Sequence, residues 1–234
     1  MRVVSLVPSA TETLVAWGRP PMACTDFCEQ PDLATVGGTK NPRIDDIVAL
    51  DPDVVVMCHE ENRAPDAEAL GAAGLRVHVC SPSTVDEVPP ALADLAVAVG
   101  VEPSPRLRGG PVPLVEPLGL RAFVPIWRRP WVALAGGTYG SSVLAAIGID
   151  NVVAPPPADA PAADRYPEVD LDDIALAAPD VVLAPSEPYA FKPAHLEVLR
   201  EVAPVVEVDG QDLFWWGVRT PDAVDRLGRA IRRR

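Results

Sequence analysis

One stretch of this chain occurs twice. Residues 44–56 (IDDIVALDPDVVV) return as residues 171–183 (LDDIALAAPDVVL), without a gap and at a constant offset of 127 residues. A fainter echo precedes each copy: residues 3–18 and 132–148 both read as an apolar strand, a small polar turn and an apolar helix closed by glycine. Two echoes in the same order predict two lobes of like build, and like lobes commonly hold something between them.

Length and charge narrow the possibilities. A chain of 234 residues can bury a real core as one large or two small domains. Its net charge of −13 argues against nucleic acid or an anionic membrane as a partner. No apolar run approaches the ~20 residues that span a bilayer. The opening Met1-Arg2 leads at once into an apolar strand with no signal-like segment, so a cytoplasmic protein is expected. Cys24, Cys28, Cys58 and Cys80 fit that placement as free, buried thiols.

Strand and helix patterns alternate on both sides of a proline-rich middle. The N-terminal lobe, residues 1–100, reads as strands at 3–7, 22–25, 54–58 and 76–80, with helices at 10–17, 44–50, 65–73 and 84–99. The C-terminal lobe, residues 121–234, reads as strands at 123–126 or 132–135, 181–184 and 205–208, with helices at 141–147, 171–177, 193–202 and 221–232. Short, almost wholly apolar strands alternating with helices predict parallel sheets covered on both faces. Between the lobes, residues 101–120 hold Pro103, Pro105, Pro111, Pro113 and Pro117. Prolines so spaced exclude a continuous helix and predict an extended connector.

Enzyme signatures are weak. The three histidines sit apart: His78 alternates within an apolar strand as a core imidazole, and His195 lies on a charged helix, where it is expected to be solvated. There is no nucleophile elbow, dinucleotide fingerprint or phosphate loop. Cys24 and Cys28 with Cys58 and His59 form one loose pair and a partner, a poor match to structural zinc spacing, so no metal site is expected.

Ligands of parallel α/β sheets bind beyond the carboxyl ends of the strands. Those ends hold Ser9, Phe27, Cys58, His59 and Glu60 in the first lobe, and Trp127, Tyr139, Tyr189, Phe191, Trp215 and Trp216 in the second. Aromatics are only 5% of the chain, so their gathering at strand ends points to a large, partly apolar ligand. Packing at a lobe interface is the competing explanation for the tryptophans. The duplicated Asp45-Asp46 and Asp172-Asp173 stand in first helical turns, where a carboxylate suits unpaired N–H groups.

Residues 2–12 (RVVSLVPSATE), 36–42 (VGGTKNP), 51–55 (DPDVV), 60–63 (EENR), 125–131 (PIWRRPW) and 185–189 (PSEPY) resemble the cobalamin and iron-complex substrate-binding proteins of ABC importers, most closely the cobalamin-binding branch. The resemblance implies an α/β fold of two similar Rossmann-like lobes with parallel sheets and a ligand cleft between them. The proline-rich connector stands in place of the family's backbone helix. By position it implies Phe27, Thr39, Cys58, His59, Tyr139, Trp215, Trp216 and Arg219 as pocket residues. Asp45 and Asp172 match the acidic residues that dock on a membrane permease. The expected function is non-enzymatic binding of cobalamin or a related metal chelate, with no required cofactor. The alternatives are an enzyme acting on a small polar substrate with the same scaffold, or an interaction protein without ligand.

Overall fold

The computed structural model describes residues 1–102, 110–113, 116–157, 159–160 and 162–233. The chain divides into two compact units. The first comprises Met1–Pro82, Asp86–Gly110 and Trp216–Arg219; the second comprises Ser83–Val85, Pro111–Trp215 and Thr220–Arg234.

In the first unit the order is β1 (Val3–Ser5), α1 (Pro8–Ala16), β2 (Ala23–Cys24), β3 (Ala34–Thr35), α2 (Ile44–Ala49), β4 (Val54–Met57), α3 (Ala64–Ala72), β5 (Val77–Val79) and α4 (Val88–Ala98). The strands form one parallel sheet in the order β3-β2-β1-β4-β5. Residues two apart on β1 and β4 share a face, so Val4, Leu6, Val55 and Met57 join Ile47 and Leu70 in one buried cluster. All four residues of β4 are buried, as expected for a central strand covered on both sides.

The second unit runs β6 (Leu120–Phe123), β7 (Pro125–Trp127), β8 (Val132–Ala133), α5 (Tyr139–Ala146), β9 (Ile149–Asn151), α6 (Leu171–Leu176), β10 (Val181–Pro185), α7 (Pro193–Arg200), β11 (Val205–Val208), α8 (Gly210–Phe214) and α9 (Thr220–Arg232). Its parallel sheet has the order β11-β10-β6-β9, with β7 and β8 as a separate antiparallel pair. Phe123, Ile174, Val182, Leu196 and Leu199 center its core.

The repeat is therefore structural. Residues 44–56 and 171–183 are each a helix feeding a parallel central strand, α2 into β4 and α6 into β10. Strands β2-β1-β4-β5 correspond in order to β9-β6-β10-β11. The duplicated Asp-bearing corner is built the same way in both units. The Asp53 carboxylate accepts the Arg2 backbone N–H at 2.6 Å, and the Asp180 carboxylate accepts that of Arg121 at 2.7 Å. Each arginine side chain also donates to carbonyls at the end of the preceding helix, Leu50 in one case and Ala177 in the other. The residue before each proline, Asp51 or Ala178, is left-handed, with φ of 46° and 48°.

One part of the echo is corrected. Residues 132–135 were expected to match the first strand, yet the counterpart of β1 is β6, and the β7–β8 hairpin is inserted between β6 and α5. Strands β3 and β9 and the short helix α8 were not anticipated. Of the helix-free connector expected over 101–120, residues 103–109, 114 and 115 lie outside the described residues. Val101, Glu102, residues 110–113 and residues 116–119 are in neither helix nor strand.

Candidate functional site

The strand ends of the first unit are drawn together by Asn62. Its amide nitrogen donates to the carbonyls of Leu6 and Thr39, both at 3.0 Å, while its amide oxygen accepts the Cys58 N–H at 2.8 Å. One buried side chain thus fixes the loops after β1, β3 and β4. The sequence signal for it was weak, because a lone Asn in a charged run is normally a turn residue.

Around this hub Ser9, Thr39 and Cys58 are buried, Glu60 is half-buried, and His59 and Phe27 are exposed. The ring of Phe27 lies against Gly38, where a Cβ would stand 3.2 Å from it. The His59 N–H donates to Ser81 Oγ at 2.7 Å. Burial pushes the Cys58 thiol up to about 12, helped by the nearby Glu61. Burial also raises the Glu61 carboxyl, against the pull of Lys40 and Thr39. This end of the unit therefore favors uncharged side chains below an exposed aromatic ring.

The remaining cysteines do other work. Cys28 Sγ lies 3.1 Å from Thr25 Oγ1 and 3.3 Å from Thr11 Oγ1. Hydrogen bonding to Cys24, reinforced by the two threonines, brings the Cys28 thiol down to about 6 against its burial. Cys24 moves upward, since it is the partner that keeps the proton. No group of three or more His, Cys, Asp or Glu among the described residues is arranged to hold a metal. His78 is only half-buried, not the core imidazole expected, and its Nε2 has no hydrogen-bond partner among the described residues.

In the second unit the β7–β8 turn and the loop after β10 form an aromatic cluster. Trp127 and Tyr189 meet edge-on at 5.0 Å, Tyr189 and Phe191 at 5.0 Å, and Phe191 stacks on Trp131 at 6.1 Å. His195 completes it, 5.8 Å from Tyr189. It is buried, not solvated as expected, because its Nδ1 turns back to accept the Lys192 backbone N–H at the start of α7. Burial and then the neighboring cations Arg128, Lys192 and Arg129 hold its pKa below the usual imidazole value. Trp127 keeps 47% of its surface exposed, so this cluster has a face still open to a ligand.

Other expected wall residues offer less. Trp215 and Trp216 are 8% and 3% exposed, and the Trp215 indole N–H donates to Glu187 at 2.7 Å. Tyr139 is buried, with its hydroxyl 2.8 Å from that of Thr220. Arg219 is paired with Glu12 at 3.2 Å. Little of either tryptophan is left to cover a ligand. The residues that sequence reasoning left out of the site are Asn62, Trp131 and His195; for Trp131 the signal was its place four residues after Trp127.

Asp45 and Asp172 are both exposed in the first turns of α2 and α6. The helix starts are served by their neighbors: Arg43 pairs with Asp46, and Asp170 accepts the Asp172 N–H. Neither the Asp45 nor the Asp172 carboxylate has a polar partner among the described residues.

No family model matches the chain. The vitamin B12-binding proteins of Vibrio campbellii and Vibrio parahaemolyticus serotype O3:K6 are 23% and 24% identical to it, over 78% and 77% of this chain and 70% and 69% of theirs. The periplasmic vitamin B12 binding protein BtuF of Vibrio cholerae superposes with a TM-score of 0.72 at 20% identity, covering 99% of this chain and 96% of that one. The periplasmic heme-binding protein BhuT with two hemes gives 0.74 at 20% identity, over 98% and 97%. A periplasmic heme binding protein from Pseudomonas aeruginosa gives 0.75 at 18%, over 98% and 91%. The shared fold is that of these two-lobe α/β proteins. Their periplasmic setting overturns the cytoplasmic placement expected from the opening residues and points outside the cytoplasm.

Proposed function

We propose that this chain, which stands in sequence and fold with the cobalamin and iron-complex substrate-binding proteins, is a non-enzymatic binder of a flat metal chelate of the corrin or porphyrin class. Cobalamin is the first candidate and heme the second, because the relatives are named for one or the other. The observation that carries the reading is the aromatic cluster of Trp127, Trp131, Tyr189 and Phe191 with its open indole. A broad apolar macrocycle gains most from such rings, through burial and stacking. In the first unit, exposed Phe27 and His59 above buried Ser9, Thr39 and Cys58 offer a second contact area of similar character.

Delivery to an ABC permease goes with this role. The exposed Asp45 and Asp172 occupy equivalent places in the two units, and two equivalent carboxylates suit a pair of cationic sockets on a dimeric partner. An enzyme on the same scaffold gains no support from the relatives, which are binding proteins by name. The test is an absorption titration of the purified chain with cyanocobalamin and with hemin. A saturable, stoichiometric shift of the ligand bands at micromolar protein is expected. No shift with either ligand, and none retained on equilibrium dialysis, overturns the proposal.

A further inference from the structure

We propose that Arg128, Arg129 and Lys192 form a specificity element beside the aromatic cluster, selecting a macrocycle whose edge carries carboxylates over one whose edge is amidated or esterified. The inference rests on the reading just given and narrows its ligand class to carboxylate-rimmed macrocycles, which puts heme ahead of cobalamin, whose rim is amidated.

The three cations come from two separate segments, the β7–β8 turn and the residue that opens α7, Lys192, whose backbone N–H donates to His195 Nδ1 at 3.2 Å. That ring is part of the aromatic cluster, so the charges border the surface on which a flat ligand would rest. The Arg128 guanidinium lies 5.5 Å over the Trp131 ring. Its Nε is sealed from solvent and has no hydrogen-bond partner among the described residues. A buried charged donor without an acceptor is unfavorable, and such groups in a folded protein ask for a reason.

The surroundings sharpen the point. This chain has a net charge of −13, and six of its arginines, Arg43, Arg63, Arg219, Arg226, Arg229 and Arg232, pair with carboxylates. Among the described residues no carboxylate pairs with Arg128, Arg129 or Lys192. Three uncompensated cations in an acidic protein are a standing attraction for an anionic group. Arg129 is also held at φ 72°, a left-handed conformation that a non-glycine residue keeps only when its surroundings enforce it. Guanidinium groups meet carboxylates in bidentate, charge-assisted hydrogen bonds, which amides and esters cannot match. The aromatic rings then take the macrocycle's face and the cations take its rim.

The experiment compares rims on constant macrocycles. Wild type is titrated with hemin and with hemin dimethyl ester, and in parallel with cobyrinic acid and cobinamide, so that porphyrin and corrin sources are separated. The same ligands are titrated into the triple variant Arg128→Gln, Arg129→Gln, Lys192→Gln. Wild type is expected to bind the acid form of at least one pair about a hundredfold more tightly than its neutral form, and the triple variant to lose that preference. Salt should weaken binding of the acid form to wild type and leave the neutral form nearly unmoved. The salt series needs no variant, so the test survives a triple variant that fails to fold. Equal affinity for acid and neutral forms, or an unchanged preference in a folded triple variant, overturns this inference while leaving the binding function intact. Absence of binding by all four ligands overturns this inference, and overturns the binding function as well when cyanocobalamin also fails to bind.

Discussion

Replacing Trp127 by Ala should remove much of the ligand affinity while sparing the fold. The indole keeps 47% of its surface exposed, which for a ring of about 250 Å² leaves about 120 Å² for a macrocycle to cover. At ~25 cal/mol per Å² that area is worth about 3 kcal/mol, or about a hundredfold in Kd. The cost to the fold is smaller. Trp127 touches the cluster through its edge-on contact with Tyr189, and such a pair contributes about 1 kcal/mol. Absorption titration of wild type and variant with the tightest-binding tetrapyrrole gives the affinity change, and urea denaturation gives the stability change. A variant that binds within threefold of wild type refutes the assignment of the open indole. So does one whose loss of binding is matched by an equal loss of stability, since that would make Trp127 a packing residue.

Three further outcomes follow from the geometry. Asp53→Ala and Asp180→Ala should each destabilize by about 1 kcal/mol in denaturant titration, because both carboxylates hold the same backbone N–H at equivalent corners, in exposed settings that screen the bond; a loss in one with none in the other would show the corners to be unequal. Gly217→Ala should destabilize by about 2 kcal/mol, since the glycine has φ 134° and a Cβ there would lie 2.3 Å from Thr13 Oγ1; a variant with an unchanged thermal midpoint contradicts this. The Cys28 thiol, lowered from 9.0 to about 6, contributes stability that is present at high pH and is lost as pH falls through its folded value. Relative to Cys28→Ala, wild type should gain stability as pH rises from about 6 to about 9, with a slope of at most about 1.4 kcal/mol per pH unit. Above that range the raised Cys24 opposes the gain. Parallel stability curves for the two proteins across this window rule out the thiolate.

The duplicated segment carried most of the fold. Thirteen matched positions specify a helix, a left-handed corner ahead of proline and a central strand, and each unit needs all three to bury Ile47 or Ile174 beneath its sheet. What stayed hidden is local in scale. Strand β3 is two residues long and β9 three, and so short a run has no period to read. Residues 132–135 looked like a main-sheet strand because apolar content alone does not distinguish a core strand from a hairpin packed beside it. Trp215 and Trp216 look alike as site residues in sequence, yet both are nearly covered, whereas Trp127 stands open at the end of β7. His195 was misjudged because its helix is charged, but a side chain at the third helical position bends back to the first N–H and leaves solvent. Asn62 was invisible for a related reason: its role lies in bonds to Leu6 and Thr39, both distant in sequence.

Hydrogen–deuterium exchange of the full chain, with and without a saturating tetrapyrrole, tests the central claim most directly. Binding at the open aromatic cluster should slow exchange at residues 127–133 and 186–196, and leave the exposed helix starts at 44–46 and 171–173 unchanged. Exchange unaltered at the aromatic cluster under saturating ligand, or slowed only at those helix starts, would contradict the account.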